Sequence, residues 1–285
     1  MLAGKAYVVR GKLGAGGSSD VWSGHRDARL SERVIVKTLR ATEDADLLLR
    51  EQRVLTRLER SEAPGHSYFR SLLPQRIAHG EATWDHGDAV LTSVFRWRSG
   101  FVYTLADVAR AFTEGVDPRA AVWMWRRLLE LLGWVHRSGV VHGAVLPEHV
   151  LIHPRHHGVT LVGWSMAAQR YRRPPEAIGG WVEAARSFYP AQALRGGEAQ
   201  PATDLTMAAR TVVHILGGDP KAGTYPPSVP TPLAALLTRF AASDPSDSTR
   251  DAWELQRQVA AAAHAVWGPP KYVKFRMPAR AGWRE

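Results

Sequence analysis

No cysteine occurs anywhere in this 285-residue chain. That absence excludes disulfides, thiolate nucleophiles and thiolate-ligated zinc together. Long apolar runs are lacking too. Nothing approaches the roughly 20 residues that span a bilayer. The most apolar late stretch, 259–267, is short, alanine-rich and interrupted by His264. The opening residues run into strand-like sequence at 6–10 without the apolar core of a signal peptide, so a cytoplasmic protein with no membrane partner is expected. Acid is the scarcer charge: 27 Asp and Glu stand against 37 Lys and Arg, a net charge of +10 with a pI near 10.3. Such an excess attracts nucleic acid, anionic lipid or acidic protein without choosing among them. The positive charge is spread, with concentrations at 170–173 and in the tail 271–284, and a solvated surface accounts for it better than a nucleic-acid site does. Tyr272, Phe275 and Trp283 predict that this tail packs against the body.

What is present reads as a soluble globular chain, 45% hydrophobic and 22% charged, long enough to bury a large core. The segments 7–14, 19–25 and 33–39 carry β-branched or aromatic residues between Gly, Ser and charged turns, and predict strands. Leucines and Val54 recur at helical spacing over 45–60. Residues 74–84 and 88–95 predict paired strands across an Asp85-His86-Gly87 turn. From Pro118 the pattern turns helical, over 120–137, 202–216, 232–240 and 250–267. One further hairpin is predicted from 150–153 and 159–162. A β-rich first part and a helical second part, divided near 95–103, form the expected α+β architecture.

A glycine-rich run, Gly14, Gly16 and Gly17, lies between the first two predicted strands, with Ser19 at the place of a third spaced glycine. A dinucleotide fingerprint would need a helix after the glycines, and a strand follows instead. Lys37 then lies near the end of the third strand, and Glu51 in the following helix. This ordered set resembles the glycine loop, strand lysine and helix glutamate of eukaryotic-like protein kinases. The second part extends the likeness. The run from Gly139 to Ile152 resembles the kinase catalytic loop and the strand after it, and its His142-Gly143 start is similar to the aminoglycoside phosphotransferase and choline kinase branch. Gly163-Trp164-Ser165 resembles the metal-binding segment, Asp204 the aspartate that braces the catalytic loop, and Arg250 the closing arginine of the fold. The resemblance covers 7–262 and implies a two-lobed protein-kinase-like fold. It divides the chain into a small β-rich N-lobe at 1–97, a helical C-lobe at 98–267 and a basic aromatic tail at 268–285.

The same alignment shows four losses. Ala144 stands where the resemblance puts the catalytic aspartate, Leu146 where it puts a phosphate-steadying lysine, His149 for the metal-binding asparagine and Gly163 for the metal-binding aspartate. Phosphoryl transfer needs metal ions across the phosphates and a carboxylate that orients the acceptor. A lost general base typically lowers the rate about 10²–10⁴-fold. Gly143 also replaces the arginine that pairs with a phosphorylated activation segment, and 165–190 contains no threonine. The expected function is therefore a pseudokinase, a scaffold or allosteric partner for a protein with an acidic or phosphorylated surface. ATP is the one candidate cofactor, held weakly and with little magnesium dependence by the backbone of Gly14 and Gly16, by Lys37, and by Glu51 behind it. No metal is expected. The alternative is a weak serine/threonine kinase or small-molecule phosphotransferase with Glu148 or His149 as base. The histidines at 142, 149, 153, 156 and 157 form a weaker candidate for zinc, and Trp123, Trp125 and Trp134 are expected to pack rather than to stack on bases.

Overall fold

The computed structural model describes residues 1–85, 87–172, 174–241 and 251–278. His86, Arg173, Arg250 and Trp283 lie outside them, and with these go the predicted closing arginine and the end of the tail. At 40% helix and 22% strand the chain is mixed α+β. Among the described residues no helix is long and apolar enough to cross a membrane.

The first part is an antiparallel sheet of five strands: β1 (Tyr7–Ala15), β2 (Ser19–Arg26), β3 (Arg33–Leu39), β4 (Arg76–Thr83) and β5 (Ala89–Arg96), in the order β1-β2-β3-β5-β4. Helices α1 (Ala45–Glu59) and α2 (His66–Arg70) lie between β3 and β4 in sequence. β3 is central, and its β-branched Val34, Ile35 and Val36 suit a pleated surface. Period-2 alternation then sorts its side chains. Val34 and Val36 join Leu2, Ala82 and Val94 in a small apolar cluster. Ile35 packs against the large cluster that fills the rest of the molecule, and Lys37 shares its parity. The alternation of β3 thus sends Lys37 toward α1.

Helix α1 buries Leu48, Glu51, Gln52, Val54, Leu55 and Leu58, a stripe at three- and four-residue spacing. A glutamate and a glutamine within that stripe need polar partners, and those partners define the site below.

The second part begins with β6 (Tyr103–Thr104), α3 (Leu105–Ala111) and α4 (Pro118–Arg137). α4 opens with Pro118 at a position that needs no amide, behind Asp117, whose carboxylate accepts from Arg119 N at 2.8 Å. Then come β7 (Val140–Val141), β8 (Val150–His153), β9 (Gly158–Leu161) and β10 (Ala168–Gln169), followed by α5 (Ala191–Leu194), α6 (Pro201–Ile215), α7 (Thr231–Ala241) and α8 (Ala252–Trp267). β6-β8-β9 form one small sheet and β7-β10 another, both antiparallel. α6 is buried along nearly its whole length. α4 packs against both α6 and α8. The predicted helix at 202–216 is α6, and the predicted hairpin at 150–162 is β8–β9.

The tail does pack as far as it is described. Tyr272 stacks on His157 at 4.6 Å between ring centroids and donates to Arg155 O at 3.0 Å. Trp123 covers the other approach to His157 in a parallel stack at 4.2 Å, while Phe275 sits near Phe112 and Trp123. The turn histidines are thus engaged in ring stacking, His153 with His156 among them. Among the described residues no group of three or more His, Asp or Glu is placed to hold a metal ion.

Candidate functional site

Three segments distant in sequence converge below β3: helix α1, the loop 142–149 between β7 and β8, and the turn 163–165 after β9. Lys37 Nζ reaches both carboxylate oxygens of Glu51, at 3.0 and 2.9 Å, and donates to Ser165 Oγ at 2.9 Å. Both residues of the pair are buried, Lys37 at 8% and Glu51 at 2% exposure. Glu51 Oε1 also accepts from Trp164 N at 3.1 Å. An ammonium has three protons, so Lys37 is fully engaged by protein groups alone. The two residues that sequence reasoning paired are in contact; Ser165 was not anticipated as their third member.

The loop 142–149 is held from below. Asp204, wholly buried near the start of α6, accepts from His142 N, Gly143 N and His136 Nε2, each at 2.8 Å. Gly143 is in the left-handed region at φ +71, and a Cβ there would meet Ile178 at 2.6 Å and Met166 O at 2.8 Å. Ile178 therefore fills the space a side chain at 143 would need.

Ala144 and Leu146 are buried and apolar, and neither offers a polar side chain to a phosphate. His149 donates through Nδ1 to Ala144 O at 2.8 Å. Its ring lies over Gly163: a Cβ built there would meet Cδ2 and Nε2 at 2.7 Å and Cε1 at 2.8 Å. Near-equal distances to three ring atoms place that Cβ over the ring face. Gly163 has φ +77, which glycine adopts without strain. His149 and Gly163 therefore fill one another, ring against bare Cα. Burial lowers the pKa of His149, the Ala144 carbonyl opposes this, and Lys37 lowers it further. Glu148 and Glu81 are exposed. The donor set does not fit a divalent cation: an imidazole covers Gly163, and the buried carboxylates are engaged, Glu51 by Lys37 and Asp204 by the loop amides and His136.

His142 is deeper still. Its Nδ1 accepts from Ala144 N at 3.2 Å, so the proton sits on Nε2, which donates to Val162 O at 3.1 Å. Trp164 packs against its ring edge-on at 4.4 Å. Burial drops its pKa from 6.5 to about 4; Asp204 pulls it upward, His149 lowers it, the Val162 carbonyl raises it and His136 lowers it. The unfolded chain binds a proton near pH 6.5 that the folded site refuses until about pH 4. Stability is therefore full above pH 6.5 and declines as pH falls through this window, by roughly 3 kcal/mol in all. Urea unfolding from pH 4 to 7 checks this: His142→Gln should flatten the slope relative to the parent. The difference isolates His142 from His79, His157 and His214, which burial also lowers. Parallel profiles would refute it.

The glycine turn between β1 and β2 is closed on itself. Gly16 N donates to Ser19 O at 2.8 Å, and Arg40 donates to Gly16 O at 2.9 Å. The Gly16 amide is thus already used within the turn. Beside Gly14 and Gly17 the space is open, with nothing within 4 Å of an added Cβ.

The segment after the site is anchored by residues whose roles sequence reasoning missed. Arg50, one residue before Glu51, donates to Glu176 Oε1 at 3.1 Å and to the carbonyls of Ala167 and Ala177 at 3.3 Å. Glu176 in turn accepts from Gln169 N at 2.8 Å. An internal carboxylate thereby ties the segment to α1. Arg172 approaches the same Glu176 at 3.8 Å, and Arg170 lies over the exposed Tyr171 ring at 4.7 Å. Further on, Arg210 of α6 holds the carbonyls of Ser187, Tyr189 and Ala241. An arginine on an apolar helix was the available signal for Arg210. Arg50 had none, because it sits among other arginines that read as a solvated face.

Compared with known proteins, the chain matches no family model and no curated sequence.

Proposed function

We propose that this chain is a catalytically defective, two-lobed protein-kinase-like domain that acts by binding rather than by phosphoryl transfer. The observation that carries the reading is the filled site: the His149 ring occupies the space over Gly163, and Ser165 occupies the remaining donor of Lys37. Where a kinase needs side-chain oxygens for magnesium and a carboxylate for the acceptor hydroxyl, this site offers an imidazole, an alanine and a glycine. ATP would be held by Lys37 with Glu51 behind it and by the backbone around Gly14 and Gly16. Its phosphates must first displace Ser165 from Lys37. Metal does not enter this reading, because the residues present do not form a site for it.

A thermal-shift titration tests it. ATP should raise the melting temperature little, since stabilisation grows only as the logarithm of ligand over Kd, and magnesium should leave the shift unchanged. Ser165→Ala should enlarge the shift by freeing one proton of Lys37. A large magnesium-dependent shift in the parent, lost in Lys37→Met, refutes the reading.

The competing reading, an unconventional phosphotransferase, has one observation in its favour. His149 Nδ1 carries the proton shared with Ala144 O, which leaves Nε2 as the basic nitrogen of the neutral ring. That reading requires label from γ-phosphate or AMP to appear on protein or small-molecule acceptors, and to vanish in His149→Ala.

A further inference from the structure

A groove of about 370 Å³ opens where the end of α1, the α2–β4 connection and the end of β5 meet. Three guanidiniums line it, Arg70, Arg76 and Arg96, together with the carboxylate of Glu59 and the apolar Leu73 and Ile77. Arg76 is fixed in advance: it donates to Gln52 Oε1 at 2.7 Å and Thr56 Oγ1 at 3.1 Å, and Glu59 lies 3.5 Å away. Glu59 is thereby matched by Arg76, and Glu32 matches Arg96, so Arg70 supplies the net charge. Arg96 is steadied through Nε by Glu32 at 2.9 Å. Arg70 has no ion pair among the described residues. Both are exposed.

We propose that this groove is a docking site for an acidic peptide segment of a partner protein. That net charge favours an anion, and Arg96, whose guanidinium is bonded through Nε alone among the described residues, keeps its terminal nitrogens for a carboxylate. The arginine-rich lining argues for acidic side chains over a small molecule, whose sites are mostly apolar and concave. The neighbouring strand favours a peptide as well. β4 is an edge strand that starts in the groove at Arg76, and among the described residues its outer edge is hydrogen-bonded at the far end, where Met1 and Thr83 exchange bonds. An extended chain can therefore leave the groove along a free sheet edge. The groove's lining includes none of the residues around Lys37, and the proposal holds whether or not that centre turns over nucleotide.

Fluorescence anisotropy with a labelled poly-Glu peptide tests it. The expected result is saturable binding that a poly-Gln peptide does not reproduce. Arg70→Ala/Arg96→Ala should weaken it roughly tenfold, while Arg170→Ala/Arg172→Ala leaves it unchanged. Arg70, Arg96 and Arg172 are exposed and Arg170 is half-buried, and equal melting temperatures confirm that the variants fold. Undiminished binding to Arg70→Ala/Arg96→Ala overturns the proposal. So does single-stranded DNA that binds more tightly than the peptide and loses affinity in that same variant, since the groove would then be a phosphate-backbone site.

Discussion

Asp204→Ala should be the most damaging single substitution in the chain, lowering the unfolding free energy by about 3–5 kcal/mol. The carboxylate has no exposure to water and accepts three bonds, two from consecutive amides of the loop and one from His136. Alanine leaves the His142 and Gly143 amides buried without an acceptor, and no solvent can reach them. Asp204→Asn keeps the shape and one oxygen but turns an amino group toward a donor, so it should lose less than alanine and more than 1 kcal/mol. Urea unfolding with fixed slope measures both. An alanine variant within 1 kcal/mol of the parent would show that the loop finds other acceptors.

Lys37→Met should follow closely, at about 3 kcal/mol. It strands the Glu51 carboxylate at 2% exposure, with Trp164 N as its remaining hydrogen-bond donor. The pair is not expected to be worth that much in itself, because desolvating two charges offsets most of their attraction. Hence Lys37→Met/Glu51→Leu should recover most of the loss, and the double-mutant cycle should show strong coupling. Arg186→Ala provides the contrast. Its pair with Glu183 is more than half exposed on both sides, and removing it should change stability by less than 1 kcal/mol. If the two losses at 37 and 51 simply add, the buried pair does not act as a unit.

The legible part of this molecule was its local chemistry. In β3 the β-branched Val34, Ile35 and Val36 predicted a strand, and the strand's alternation then fixed the face Lys37 takes. In α1 the stripe of apolar residues contains Glu51, and a carboxylate at a stripe position signals a buried partner. Asp204 gave the same signal on an apolar helix. Ser165 gave none, because its bond to Lys37 joins residues 128 apart and a serine after Gly-Trp suits any turn. Glu176 and Arg50 were equally silent, being ordinary charged residues 126 apart until the fold brings them to 3.1 Å.

Sequence alone determined which chemical groups this protein can bring to bear: no thiol, a positive excess, a lysine and a glutamate in consecutive elements, and an alanine at 144 and a glycine at 163. Tertiary structure decided what occupies the resulting space. Periodicity and propensity act over a few residues and fix faces and element types. Whether a ring fills the gap beside Gly163, or a hydroxyl takes the last proton of Lys37, depends on contacts between segments more than ten residues apart, which no local pattern encodes.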